Sequence, residues 1–256
     1  MGKRLVAVLA LALLVGATFS TAYAEVQNVK VSGDINIIGV ARNNFSLGTP
    51  IGSDNPKEKN RLFGTQTRVR VDADLTDNVA ATVRLINERS WNTEDNSNTD
   101  IDLDLAYVTL KEFLYSPLTL TLGRQEIRFG NQLIIGNSNN YIGTGTGNVL
   151  NGFPADLSVR NSFDAMRATL NYDPLVIDLV YSKLKNNDTN TSDDADLFGI
   201  NASYDVTKDL NVQAYIWDKR DKSEATDNSK KDNVYTLGGL ATFRGIEDLV
   251  LSLEGA

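Results

Sequence analysis

The arginine residues are the most chemically distinctive side chains of this sequence, because many of them stand inside segments whose residue pattern is that of β-strands. A guanidinium group binds a carboxylate through two parallel hydrogen bonds and keeps its charge in a confined space. A row of such groups along one strand face attracts anions even when the whole chain is acidic. We therefore predict an anion-binding set made up of Arg68, Arg70, Arg84, Arg124, Glu126, Arg128 and Arg167.

The same faces also carry acidic residues, and these allow a second interpretation. The arginines would then pair with carboxylates and form an ion lattice that stiffens the wall of a polar interior. The acidic residues in question are Asp72, Asp74, Asp102, Asp104, Glu88 and Glu126. Solute binding and wall stiffening are compatible, and the sequence leaves both open.

Several kinds of catalytic chemistry are excluded by composition. The chain contains no histidine and no cysteine, which rules out Ser-His-Asp triads, Cys-His pairs and thiolate zinc sites. Asp102 and Asp104 have the spacing of two carboxylates on one strand face, and a polar strand explains them without a glycosidase site. We predict no enzyme activity, no cofactor and no metal, and a calcium site at Asp193, Asp194 and Asp196 stays an open hypothesis because these lack the spacing of a known calcium loop.

The N-terminal residues read as a secretory signal peptide, and the remainder as one domain. Lys3 and Arg4 precede an apolar run from Leu5 to Phe19, and Ala22, Tyr23 and Ala24 form an A-x-A cleavage site. We assign residues 1–24 to the signal and 25–256 to a single domain. The chain has 25 basic and 33 acidic residues, and this acidic balance argues against nucleic acid as a partner.

The rest of the chain alternates apolar and polar residues with a period of two, the pattern of strands with two unlike faces. Eleven such strands can be counted between Val29 and Leu253, each about ten residues long, and no amphipathic helix is found. Short turns at 76–78, 111–117, 173–174, 207–209 and 245–248 alternate with long polar loops. This layout predicts an all-β fold, an antiparallel transmembrane up-and-down β-barrel with periplasmic turns and extracellular loops, in preference to a soluble β-sandwich.

The alternation changes phase at Gly123. Leu118, Leu120 and Leu122 precede it on even positions, whereas the apolar residues Ile127 and Phe129 follow it on odd positions. A β-bulge at the glycine would keep both apolar groups on the outer surface. The bulge would turn the intervening charged residues toward the interior, and these are Arg124, Glu126 and Arg128.

A resemblance to a known family rests on two segments. The stretch LGRQEIRFGNQLIIG follows a strand ending in AYVTL and precedes, after a Gly-rich loop, the strand RNSFDAMRATL. This order resembles the alginate-export family of bacterial outer-membrane porins, in which a GRQ-type strand and a downstream arginine-plus-FD-type strand flank a long loop. The residues that match the family pattern are Gly123, Arg124, Gln125, Gly130, Phe163, Asp164 and Arg167.

The resemblance implies a monomeric barrel of about sixteen to eighteen strands whose arginine-rich lumen conducts an anionic polysaccharide. Two features depart from it: the strand count is odd, and the segment Leu253 to Ala256 lacks a closing aromatic strand. We therefore expect an incomplete chain.

Two functions follow as predictions. The first is an outer-membrane channel for an anionic polysaccharide such as alginate, or for small anions, with outer-membrane lipid as the other partner. The alternative is a barrel anchor that displays the loops 130–162 and 221–233 for adhesion or surface binding.

Overall fold

The computed structural model of the protein describes residues 27–43, 59–92, 101–136, 149–150, 153–154, 157–185, 194–221 and 232–256. The signal-peptide prediction for residues 1–24 and most of the long-loop residues fall outside these ranges. Strands make up most of the described structure. They are β1 (Asn28–Asn43), β2 (Lys59–Thr76), β3 (Val79–Ser90), β4 (Asp102–Leu110), β5 (Leu118–Glu126), β6 (Val149–Leu150), β7 (Phe153–Pro154), β8 (Ser162–Asn171), β9 (Leu175–Lys185), β10 (Ala195–Thr207), β11 (Leu210–Asp221), β12 (Asp232–Ile246) and β13 (Leu249–Gly255).

Eleven of these strands form one antiparallel sheet in which each strand pairs with the next along the chain. The sheet order is β1-β2-β3-β4-β5-β8-β9-β10-β11-β12-β13, and β6 pairs with β7 in a separate two-stranded ribbon. The predicted all-β class, the strand number and the positions of the short turns are confirmed. No helix of the described part of the chain is long and apolar enough to cross a membrane, a test that does not concern strands.

The two faces of the sheet differ in chemistry, as the alternation predicts. The face that we call the apolar face carries exposed aliphatic residues on successive strands, among them Val31, Val69, Leu179, Ile200 and Leu237. The opposite face, the polar face, carries Arg68, Arg70 and Arg84 with their acidic partners. Because apolar residues are exposed on one side over the whole sheet, this surface does not match that of a water-soluble protein.

Aromatic residues border the apolar face at both ends. We call the end of the sheet where the long loops join the strands the loop end, and the opposite end the turn end. At the loop end, Phe63 stacks on Trp91 and Tyr181 lies against Phe198. At the turn end, the hydroxyl groups of Tyr115 and Tyr172 lie 3.1 Å apart. This hydrogen bond raises the pKa of Tyr115, which lies in the turn between β4 and β5.

One strand departs from the predicted alternation, and the cause is a bulge in β4. Arg84 of β3 lies opposite Leu105, and the next residue, Leu85, lies opposite Leu103, so that Asp104 is an extra residue. Leu103 stays exposed on the apolar face, whereas Leu105 is 1% exposed. Apolar and aromatic residues at the odd positions from 101 to 107 predict one shared apolar face for Leu103, Leu105 and Tyr107, and the bulge makes this prediction wrong.

The predicted bulge at Gly123 is also wrong. The register of β5 runs without a shift past this residue on both sides, with Gly123 opposite Tyr107 in β4 and Ala165 in β8. What is unusual is the backbone, because Gly123 has a φ of 118°. A β-carbon there would collide with the carbonyl oxygen of Ala106, so that glycine is required by both conformation and space.

After β5 the chain folds over the polar face. Ile127 and Phe129, which the sequence placed on the outer surface, are 0% and 7% exposed and belong to a buried cluster. We call residues 127–136 the inner segment. The cluster that holds it consists of Ile127, Phe129, Ile135, Phe163, Ala165, Val180, Leu197, Tyr215 and Trp217. The prediction of a strand continuing outward through Phe129 is wrong because these side chains find apolar partners on the inside.

The contacts of the inner segment show that the sheet curves toward its polar face. The backbone N–H of Asn131 donates to Glu254 Oε2 at 2.8 Å, and Glu254 lies in β13, six strands from β5 in the sheet order. Six spacings along a flat sheet amount to about 29 Å. The chain from Glu126 to Asn131 reaches at most about 17 Å, so the contact requires a concave polar face.

The other end of the same connection is also held on the polar face. Phe153 is 0% exposed and its ring packs against Gly64 of β2. Glu88 of β3 accepts hydrogen bonds from Ser158 Oγ and from the backbone N–H of Val159, at 2.7 and 2.9 Å. Both described ends of the connection between β5 and β8 therefore lie inside the curve of the sheet.

Candidate functional site

A polar cavity of about 280 Å³ lies on the polar face. Residues of β2, β4, β5 and β8 line it, and two of them are arginines from different strands. The lining consists of Arg70, Leu105, Tyr107, Thr109, Thr121, Gln125, Glu126 and Arg167. Two cations, three hydroxyl groups and one carboxylate therefore converge on one cavity.

Arg70 enters the cavity from β2 and is held by its neighbours. Its Nε and Nη2 donate to the two carboxylate oxygens of Asp72, both at 2.8 Å. Asp72 also accepts a hydrogen bond from Thr82 Oγ1 at 2.7 Å, and Tyr107 Oη lies 3.5 Å from Arg70 Nη2. The carboxylate fixes the guanidinium, whose side chain stays 35% exposed toward the cavity.

Arg167 enters from β8 and is fixed differently. Its Nε donates to Asp178 at 2.8 Å, and Asp178 also accepts from Thr169 Oγ1 at 2.6 Å. The guanidinium carbon lies 5.2 Å from the centre of the Phe129 ring, a cation–π distance. Within the described residues no other hydrogen bond restrains Arg167, which leaves its Nη groups available to a bound anion.

Arg84 lies deeper and links two carboxylates. It contacts Asp104 and Glu126, each at 2.5 Å, and its side chain is 9% exposed. Glu126 is also 3.8 Å from Arg128, which is half-exposed. The predicted residues Arg84, Glu126 and Arg128 thus form one chain of charges beside the cavity, of which only Glu126 lines it.

The remaining two predicted arginines do not reach the cavity. Arg68 is on the polar face and pairs with Asp34 of β1 at 3.0 Å. Arg124 donates to both carboxylate oxygens of Asp164, at 2.9 and 2.8 Å. Asp164 lies on the same side of β8 as the exposed Met166, so that the predicted placement of Arg124 on the polar face is wrong. Without a bulge, Arg124 keeps the apolar-face phase of Leu122.

The similarity of this chain to known proteins extends over almost the whole sheet. Residues 28–244 match the family described as Alginate export. The chain belongs to the Alginate export family. No curated protein matches the chain.

Among solved structures, the chain is similar to OccK8 (OprE) of Pseudomonas aeruginosa, with 11% identity, a TM-score of 0.48, and coverage of 85% of this chain and 65% of that one. It is also similar to a triple mutant of the Rhodopseudomonas blastica porin, with 11% identity, a TM-score of 0.33, and coverage of 89% of this chain and 94% of that one. The chain thus spans 65% of the length of OccK8. Membership of the Alginate export family supports an outer-membrane location.

The motif that carried the family resemblance has a structural explanation. Gly123, Arg124 and Gln125 lie opposite Ala165, Asp164 and Phe163, so that the GRQ and FD segments are partners in adjacent strands. Gln125 Nε2 donates to the carbonyl oxygen of Ala165 at 3.1 Å. Phe163 belongs to the buried cluster, and Gly130 has a φ of 59° at the turn of the inner segment. These residues join β5 to β8, and Arg167 and Gln125 are the motif residues that reach the cavity.

Sequence reasoning missed several polar-face residues. Tyr107 was assigned to the wrong face, although Val108 and Leu110 on even positions signal that the phase of β4 changes after Leu103. Arg160 was quoted in the motif without a role. It lies 3.3 Å from Glu88 and 2.5 Å from Asp102, and its side chain is 5% exposed.

Two of the three aspartates of the hypothetical calcium site form ion pairs. Lys183 Nζ lies 2.9 Å from Asp194 and 3.0 Å from Asp196, and Asp193 falls outside the described residues. No group of three or more potential ligands within the described ranges is arranged to hold a metal ion. Asp194 and Asp196 therefore pair with a lysine of β9, and the calcium hypothesis stays a prediction.

Proposed function

We propose that this chain forms part of the wall of an outer-membrane channel, rather than an enzyme, and that the channel passes anionic solutes along its polar face. The solute class that we infer is a uronate polymer such as alginate, in keeping with the description of the family. The observation that carries the proposal is the convergence of Arg70 and Arg167 on one polar cavity of a concave face.

The cavity has the chemistry that a polyuronate requires. Each sugar unit brings one carboxylate, which two guanidinium groups can bind, and several hydroxyl groups, which Tyr107, Thr109 and Thr121 can meet with hydrogen bonds. Because Asp72 and Asp178 already pair with the arginines, the attraction for a solute carboxylate is moderate. Moderate binding suits conduction, since a solute must leave a site as well as enter it.

The opposite face suits a lipid environment. A strand such as β10 has aromatic residues at Phe198 and Tyr204 with Ile200 and Ala202 between them on the apolar face. Six residues of strand span about 20 Å, close to the apolar band of about 25 Å between aromatic girdles in outer-membrane barrels. We infer that the apolar face contacts outer-membrane lipid and that the protein acts as a monomer.

The alternative of a loop-displaying anchor is less well supported by the described residues. This alternative requires loop 130–162 to extend away from the sheet. Instead, the inner segment and residues 157–160 pack on the polar face. Most of loop 221–233 falls outside the described residues, so display by that loop stays a prediction.

The test is ion selectivity of the full-length protein in planar bilayers under a salt gradient. We expect anion selectivity in the wild type, and a reversal potential that shifts toward zero in Arg70→Gln and Arg167→Gln and further in the double variant. Uronate oligomers should block the wild-type current more strongly than they block the double variant. The physical reason is the loss of the two charges that face the cavity.

Arg124→Gln is the matched control, because it removes the same charge from the apolar face. We expect this variant to keep the wild-type reversal potential. Cation selectivity in the wild type, or an equal shift in Arg124→Gln and Arg70→Gln, would contradict the proposal.

A further inference from the structure

Glu254 of β13 makes an unusual set of contacts with the inner segment. Its Oε2 accepts the backbone N–H of Asn131 at 2.8 Å, and its Oε1 accepts the hydroxyl of Tyr215 at 3.0 Å. The carboxylate also occupies the place where a β-carbon at Gly130 would lie. One side chain thus contacts two successive residues of a segment that lies more than a hundred positions earlier in the chain.

The inner segment is fixed by the buried cluster on one side and by Glu254 on the other. Its apolar side chains Ile127, Phe129 and Ile135 enter the buried cluster. Its backbone closes on itself, since the N–H of Phe129 donates to the carbonyl of Ile135 at 3.0 Å, and Gln132 has a φ of 66°. Outside this cluster, Glu254 accepts a hydrogen bond from the N–H of Asn131, a backbone group that needs an acceptor.

The position of this segment bears directly on the candidate solute cavity. The Phe129 ring lies 5.2 Å from the guanidinium carbon of Arg167, which lines the cavity, and 5.2 Å from the ring of Trp217. Moving the segment therefore moves the aromatic ring that contacts one of the two cavity arginines. Glu254 in β13 is therefore linked, through the inner segment, to Arg167 in β8.

We propose that Glu254 is a positioning residue for the channel: it seats the inner segment against the polar face and thereby sets the width of the passage and the placement of Phe129 beside Arg167. The proposal rests on the proposed channel function for its effect on solute flow. The seating itself can be measured without conductance. A carboxylate is suited to the task because hydrogen bonds to a charged acceptor are stronger than those between neutral groups.

The structural test uses thiol labelling, because the chain contains no cysteine of its own. Ile135→Cys places a thiol in the buried cluster, where the native side chain is 7% exposed, and a water-soluble maleimide should label it slowly. Adding Glu254→Ala should raise the labelling rate about tenfold or more, because the segment loses the hydrogen bond from the Asn131 N–H to a charged acceptor. Glu254→Gln keeps one acceptor oxygen and should give an intermediate rate.

Two controls define the baseline. Leu133 is 58% exposed in the same segment, so that Leu133→Cys should label fast in every background. Glu247→Gln removes a carboxylate from the exposed turn between β12 and β13 and should leave the labelling of the Ile135→Cys variant unchanged. Where Glu254→Ala does not assemble, Tyr215→Phe removes one donor to Glu254 and tests the same seating with a milder change.

The functional test is single-channel recording of the same variants. We expect Glu254→Ala to show a larger or more fluctuating conductance than the wild type, with Glu254→Gln between them. Increased labelling in a protein without conductance would support the seating role and overturn the channel function. Unchanged labelling in both Glu254 variants and in Tyr215→Phe would overturn the seating role, whatever the conductance.

Discussion

At the scale of single residues, Gly123 shows how a correct observation led to a wrong structure. The change of phase after this glycine is real, but the register of β5 is regular and the backbone angle is what differs. β5 stays paired with β8 as far as Glu126, and the chain turns inward at Ile127. The change of phase in the sequence therefore marks the end of β5, not a bulge within it.

Gly123→Ala tests this conformational requirement. We expect a loss of about 1–3 kcal/mol in the free energy of unfolding, because an L-residue is strained at this φ and its β-carbon meets the Ala106 carbonyl. The measurement is a urea titration of the full-length protein in detergent or lipid vesicles, with heat-modifiable migration on a gel as a second readout. Gly255→Ala is the control, since a β-carbon added at Gly255 would meet no atom within 4 Å. Equal effects of the two substitutions would show that Gly123 has no special role.

At the scale of elements, the sequence was sufficient for the strands and insufficient for their phase. Alternation with a period of two predicts the faces of a strand correctly when one face is apolar along the whole strand, as in β2 and β10. It fails where a bulge inserts a residue, because the position of Asp104 is fixed by its pairing with Arg84 and by the register of β3. Those partners lie in another strand, so the pattern within β4 signals a change of phase after Leu103 but does not show that Asp104 is the extra residue.

The inner segment was mispredicted for a related reason. Ile127 and Phe129 alternate with Arg128 as they would in a lipid-facing strand. Their apolar partners come from β8 to β11, and the sequence signal of this cluster is the presence of Leu197, Tyr215 and Trp217 at polar-face positions. The candidate site was predicted better than the inner segment. Arg70, Glu126 and Arg167 were predicted and line the cavity, whereas the face on which Tyr107 lies depends on the bulge in β4.

The pairing of β5 with β8 through Arg124 and Asp164 can be tested by exchanging the charges. Arg124→Asp and Asp164→Arg each place like charges opposite one another, and we expect each to lower stability by about 1 kcal/mol, the scale of a partly exposed ion pair. The double exchange should recover part of the loss. Urea titration gives the coupling between the two sites. Additive losses in the double variant would show that the ion pair does not link the strands.

At the scale of the whole molecule, the sheet is curved, with a charged interior and an apolar exterior. The contact between Asn131 and Glu254, which are six strands apart in the sheet order, is the evidence for this curvature. Arginines of β2 and β8 line one cavity on the concave face. The ion pairs are divided between the two surfaces: Arg70, Arg84 and Arg167 pair inside, whereas Arg124 and Lys183 pair at the loop-end rim outside. Rim pairs of this kind lie level with the aromatic residues Tyr181 and Phe198.

A lipid-facing exterior predicts that the cost of a charge depends on its depth. Ile200 lies on the apolar face of β10, 51% exposed, between the aromatic residues Phe198 and Tyr204, and Tyr204 lies at the turn end of the same face. Ile200→Arg should cost about 2–4 kcal/mol and Tyr204→Arg about 0–1 kcal/mol when folding into lipid vesicles is measured, because an arginine near the interface can reach water. In a water-soluble sheet both positions would be exposed surface, and the two substitutions would have similar, small effects. A large difference between them therefore supports a lipid-facing apolar surface, and similar effects would argue against it.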